Sequence, residues 1–64
     1  MAKTQIDEKY ARTKARSLLI QGMSFSYILK DITEDIGNTS LANAIIQEEN
    51  EKLIRKGIET SLMR

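Results

Sequence analysis

Three carboxylates crowd one stretch of the chain: Asp31, Glu34 and Asp35. On a helix, Asp31 shares a face with Glu34 and Asp35 at steps of three and four. Glu34 and Asp35 themselves point about 100° apart. Such a face can hold a cation weakly, but there is no Gly-centred calcium loop. A solvated acidic face is the simpler reading. The sequence has no His and no Cys, so the usual bases and nucleophiles of neutral pH are missing. Disulfides and the usual zinc ligands are missing for the same reason. Gly22, Gly37 and Gly57 are scattered, whereas a phosphate loop needs them clustered. No catalytic residue, metal ligand or cofactor is expected. The chemistry left to this chain is binding, and it is not expected to be an enzyme.

One set of binding residues suits DNA. Asn38, Thr39, Ser40, Asn43 and Gln47 fall at the start of a helical stretch. Asn and Gln can pair bidentately with adenine edges, and Ser or Thr can reach bases or phosphates. Lys9, Arg12 and Arg16 recur at steps of three and four and can neutralise phosphates. Two short helices followed by a third after a Gly turn give a helix-turn-helix outline. The expected DNA contacts are Lys9, Arg12, Arg16, Thr39, Ser40, Asn43 and Gln47. Against this, the acidic residues Glu48, Glu49 and Glu51 follow closely. Asn38, Thr39 and Ser40 are also the residue types that simply cap a helix.

A second set suits a protein interface. Ile46, Asn50, Leu53, Ile54, Ile58 and Leu62 continue an apolar side toward the C-terminus. Ile46, Asn50, Leu53 and Gly57 also read as a short d, a, d, a seam, with a polar residue at an a position setting register. Exposed apolar stripes of this kind mark interfaces. The alternative is a frayed tail with these residues sitting singly on the surface.

These side chains must be carried by helices. Ala, Leu, Ile, Lys, Glu, Gln and Arg dominate a sequence without Pro, and most of these are good helix formers. The first helix is expected from about 4 to 21, with Ala11, Ala15, Leu18 and Leu19 on one side and Gly22 as its cap. The second is expected over 25–36, opened by Ser24 or Ser26. Its stripe is Phe25, Ile28, Leu29, Ile32 and Ile36. Gly37 ends it. The third is expected over 40–56, with Leu41, Ala44, Ile45 and Ile46 starting its apolar side and residues 57–64 forming a fraying tail. Helix 2 spans roughly 18 Å, and a third helix reaching Leu62 would span about 34 Å. Helix 2 therefore leaves the end of helix 3 uncovered. The whole is a single all-α, three-helix domain of 64 residues, helix-turn-helix-like, with a long C-terminal helix. Its core should be Ala15, Leu18, Leu19, Met23, Phe25, Ile28, Leu29, Ile32, Ile36, Leu41, Ile45 and Ile46.

Charge is uneven along the chain although the net is +1. Residues 1–22 carry Lys3, Lys9, Arg12, Lys14 and Arg16 against Asp7 and Glu8, a balance of +3. Residues 23–50 carry Lys30 against Asp31, Glu34, Asp35, Glu48 and Glu49, a balance of −4. Residues 51–64 carry Lys52, Arg55, Lys56 and Arg64 against Glu51 and Glu59, a balance of +2. This alternation permits one basic face without a large net charge. The longest apolar run is Leu18-Leu19-Ile20, far short of the ~20 residues that cross a membrane. No basic-then-apolar signal segment opens the chain, so a cytoplasmic location is expected.

The stretch from Ala15 to Glu48 resembles one helical repeat of the RecX family, modulators of the RecA recombinase. It shares a leucine pair before a Gly, here Leu18, Leu19 and Gly22, followed by Ile28 and Ile32. A second Gly, Gly37, precedes an apolar pair at Leu41 and Ile45. The resemblance implies a three-helix repeat that binds within the groove of a RecA–DNA filament. It makes Arg12, Lys14, Arg16 and Lys30 the candidate contacts. From the residues alone, the expected function is a small regulatory DNA-binding module of helix-turn-helix type, an oligomer that uses helix 3 and the basic side of helix 1. The alternative is a protein-interaction module that docks on a larger complex, or on itself, through the C-terminal stripe.

Overall fold

The computed structural model describes residues 2–63, with side chains from Glu8 to Leu62. Met1, Arg64 and the side chains of Lys3 and Asp7 lie outside the described residues. Three α-helices follow in order: α1 at Ala2–Gln21, α2 at Phe25–Ile36 and α3 at Thr39–Arg55. A single 3-10 turn, Ser61–Met63, comes after them. No strand occurs among the described residues. α3 is a long C-terminal helix, as its periodicity predicts, and it starts one residue early because Asn38 is the cap.

Local chemistry sets the breaks. α1 ends in a Schellman turn: Gly22 has φ 88, its N–H donates to the Leu19 carbonyl, and the Met23 N–H donates to the Leu18 carbonyl. Only Gly adopts that left-handed conformation without steric cost. Ser24 then caps α2 by accepting from the Tyr27 N–H at 3.2 Å, satisfying one of the four orphan donors of the first turn. Asn38 does the same for α3, accepting from the Leu41 N–H at 3.0 Å. Lys52 and Arg55 occupy the last turn of α3, where cations complement the helix dipole.

The core forms where the three apolar stripes converge. α1 gives Ala11, Ala15 and Leu19, α2 gives Ile28 and Ile32, and α3 gives Ala42, Ile45, Ile46 and Leu53, all buried. Leu18, Met23, Phe25, Leu29, Ile36, Leu41 and Leu62 pack around them half-buried. The alanines end at Cβ, which lets helix axes approach while the isoleucines fill the remaining space. Ala11, Ala42 and Leu53 join the core beyond the residues expected there.

The C-terminal tail is part of the fold. A second Schellman turn closes α3: Gly57 has φ 81, its N–H donates to Ile54, and the Ile58 N–H donates to Leu53. The chain then turns back. Thr60 is buried, its hydroxyl donates to the Asn50 side-chain oxygen, and Leu62 packs against the core. This corrects two expectations. Residues 57–62 do not continue as a frayed end. Ile46, Leu53 and Leu62 find their cover within the chain itself: Ile46 and Leu53 are buried in the core, and Leu62 packs against it from the tail. No helix of the described residues is long and apolar enough to cross a membrane.

Candidate functional site

A buried carboxylate organises the α1–α3 contact. The stripe of α3 facing the core runs Ala42, Ile45, Ile46, then Glu49, then Leu53. The step of three or four that should bring another apolar residue brings an acid instead. Glu49 is fully buried, and an unpaired buried charge would cost several kcal/mol. Four donors meet it. Arg16 approaches one oxygen through Nε at 3.1 Å and Nη2 at 3.0 Å. Arg12 Nη1 and Lys52 Nζ approach the other, each at 3.3 Å. Arg12 and Arg16 are one helical turn apart, so both reach the same point from α1. Arg12 also binds Glu48 at 2.7 Å and Glu8 at 3.1 Å.

The electrostatics follow from this geometry. Burial pushes the Glu49 carboxyl up, and hydrogen bonds from Arg16, Arg12 and Lys52 outweigh it, holding the group below the ordinary carboxylate range. The Arg12 guanidinium is raised further above its already high value, chiefly by its hydrogen bond to Glu48, against desolvation.

A second ionic contact ties α1 to α2. Lys14 Nζ lies 3.0 Å from both Asp31 and Asp35, which are one turn apart on α2. The Tyr10 ring lies 5.6 Å from the same ammonium, in cation–π range. Desolvation lowers the Lys14 pKa, and the two carboxylates more than reverse it, leaving the group raised. Of the acidic face expected to be solvated, only Glu34 is exposed, while Asp31 and Asp35 turn partly inward.

The residues expected to contact DNA separate into two groups. Thr39, Ser40, Asn43 and Gln47 are all exposed on α3. Lys9 is exposed on α1. Arg12 and Arg16 are engaged with Glu8, Glu48 and Glu49, and contact with phosphate would require them to exchange these partners.

The residues expected at an interface also separate. Ile46 and Leu53 are buried in the chain's own core. Asn50 is bonded to Thr60. Ile54 and Ile58 stay uncovered, at 40% and 36% exposure. Ile54 lies beside a shallow surface depression lined by Gln47, Glu48, Asn50 and Glu51. The one signal for the buried acid was its position, one turn after Ile45 and one turn before Leu53. No cluster of metal-ligating side chains occurs among the described residues. Comparison with models of known protein families, with curated proteins and with solved structures gives no match to this chain.

Proposed function

We propose that this chain is a protein-interaction module that docks through the C-terminal end of α3 and the turn after it, around Ile54 and Ile58. One observation carries the reading: these two side chains of the C-terminal stripe remain exposed while Ile46 and Leu53 are buried. Exposed apolar side chains rimmed by polar groups are what a docking contact uses. A binding role rather than a catalytic one is further supported by a sequence without His or Cys. A recombinase filament, the partner implied by the RecX resemblance, is one larger complex it would fit. The test is capture from native lysate with nuclease present. Wild type should retain a partner that Ile54→Glu releases.

A second reading has its own observation. Ser40, Asn43 and Gln47 form an exposed polar face at three- and four-residue steps near the N-terminus of α3. That face suits the edges of DNA bases, with the exposed Lys9 of α1 as a phosphate contact. Mobility shift on random duplex at graded salt decides it, because phosphate contacts release counterions and weaken as salt rises.

A further inference from the structure

The three helices are not joined in the same way. Among the described residues, every ion pair between two helices involves α1. Lys14 reaches Asp31 and Asp35 of α2, and Arg12 and Arg16 reach Glu48 and Glu49 of α3. α2 and α3 meet through apolar side chains, and no ion pair joins them among the described residues.

Apolar cover is divided the opposite way. Among the described side chains, α1 buries Ala11, Ala15 and Leu19, with Leu18 half-buried. α2 buries Ile28 and Ile32, and α3 buries Ile45, Ile46 and Leu53. A methyl group removes far less apolar surface from water than an isoleucine side chain does. Connectivity has the same bias. Gly37 and Asn38 link α2 closely to α3, and Thr60 ties the tail to Asn50 of α3. The tail turn Ser61–Met63 also touches α1, with no ion pair among the described residues.

We infer that α1 is a detachable helix held by an ionic latch, and that it opens from α2, α3 and the tail before the rest of the chain unfolds. Residues 22–24 are the hinge, where Gly22 admits backbone changes that other residues resist. Opening separates Ala11, Ala15 and Leu19 from Ile28, Ile32 and Ile45, with which they share the core. It therefore uncovers apolar surface that the closed chain hides. Ionic strength sets the latch. Glu49 itself is shielded, but its partners Arg16 and Lys52 are 46% and 59% exposed, and Glu48 is 56% exposed. Lys14, Asp31 and Asp35 are also partly exposed. Salt shortens the screening length from roughly 10 Å at ~0.1 M to roughly 3 Å at ~1 M, so these pairs weaken as salt rises. The apolar contacts of α2 with α3 do not depend on screening.

Native-state hydrogen exchange on the full chain at neutral pH tests the latch. Protection at residues 11–19 should be lower than around Ile32 and Ile46. It should also fall less steeply with urea, because releasing α1 exposes less surface than global unfolding does. Raising NaCl from ~0.05 to ~1 M should reduce protection at 11–19 by about tenfold, the loss expected when several partly exposed pairs weaken together. Lys14→Met with Glu49→Met removes the centre of each ionic contact and keeps the net charge. The double variant should lose most of the salt response. One protection level and one urea dependence shared by all three helices would overturn the inference, because the chain would then open only as a whole. So would protection highest in α1, a wild-type α1 indifferent to salt, or a double variant with the wild-type salt response. The wild-type urea and salt series decide the matter even where the double variant does not fold.

Discussion

Arg16 of α1 grips Glu49 of α3 with two donors, Nε at 3.1 Å and Nη2 at 3.0 Å from one carboxylate oxygen. The carboxylate is fully buried, while the arginine side chain is 46% exposed. The pair is therefore asymmetric. Glu49 depends on its cations, but Arg16 has water to fall back on. Removing one side or the other should not cost the same.

Arg12→Ala with Arg16→Ala should destabilise the fold by about 3–5 kcal/mol, because it takes three of four donors from a buried charge and leaves Lys52. Glu49→Met should cost markedly less, since it fills the α3 stripe with an apolar side chain and frees two arginines that can be solvated. Urea melts of the two variants compare them directly. Equal losses would contradict the asymmetry.

The same carboxylate predicts the response to acid. Its folded pKa is depressed, so below the ordinary Glu value of about 4.3 the unfolded chain binds the proton more readily than the folded one. The stability Glu49 contributes is present above that value and is lost as pH falls through the folded pKa. Wild type should lose stability through this window. Glu49→Gln, which cannot titrate, should show a shallower fall. Parallel pH profiles for the two proteins would remove Glu49 as the source.

In the core, Ile28→Ala and Ile32→Ala should each cost about 2–5 kcal/mol, the usual range for a buried large-to-small change. Stabilities of small domains are of that order, so either variant should lose most of its helical circular dichroism at moderate temperature. Unchanged melting for both would mean that α2 is not held by these side chains.

α2 was the most legible element because its stripe is unbroken and its ends carry Ser24 and Gly37. Gly22 and Asn38 were legible for the same reason: a cap is a local interaction between residues close in sequence. Glu49 was not legible. An acid between Glu48 and Asn50 reads as part of a solvated flank, and its burial depends on Arg12 and Arg16, more than 30 residues away. The tail was missed on the same ground. Pairing of Asn50 with Thr60 requires the turn at Gly57, which helical periodicity does not describe.

The tail therefore yields a prediction of its own. Thr60→Val keeps the side-chain shape and removes the donor to Asn50, leaving a polar group poorly satisfied at a cost of about 1–3 kcal/mol. Gly57→Ala places a Cβ on a backbone at φ 81 and should also destabilise, by roughly 1 kcal/mol. Hydrogen exchange should rise first at residues 57–62 in both variants. Protection unchanged in this segment would show that the tail does not hold itself in place through these two residues.

Capture from native lysate, with nuclease present, tests the proposed docking role of α3 most directly. Wild type and Ile54→Glu should be compared after circular dichroism has shown both to be folded. Ile54 is 40% exposed, so the substitution alters the surface and spares the core. Wild type should retain a partner protein or a second copy of itself, and Ile54→Glu should retain neither. Capture that is equal for the two proteins, or that disappears from wild type when nuclease is added, would contradict the docking role of this face.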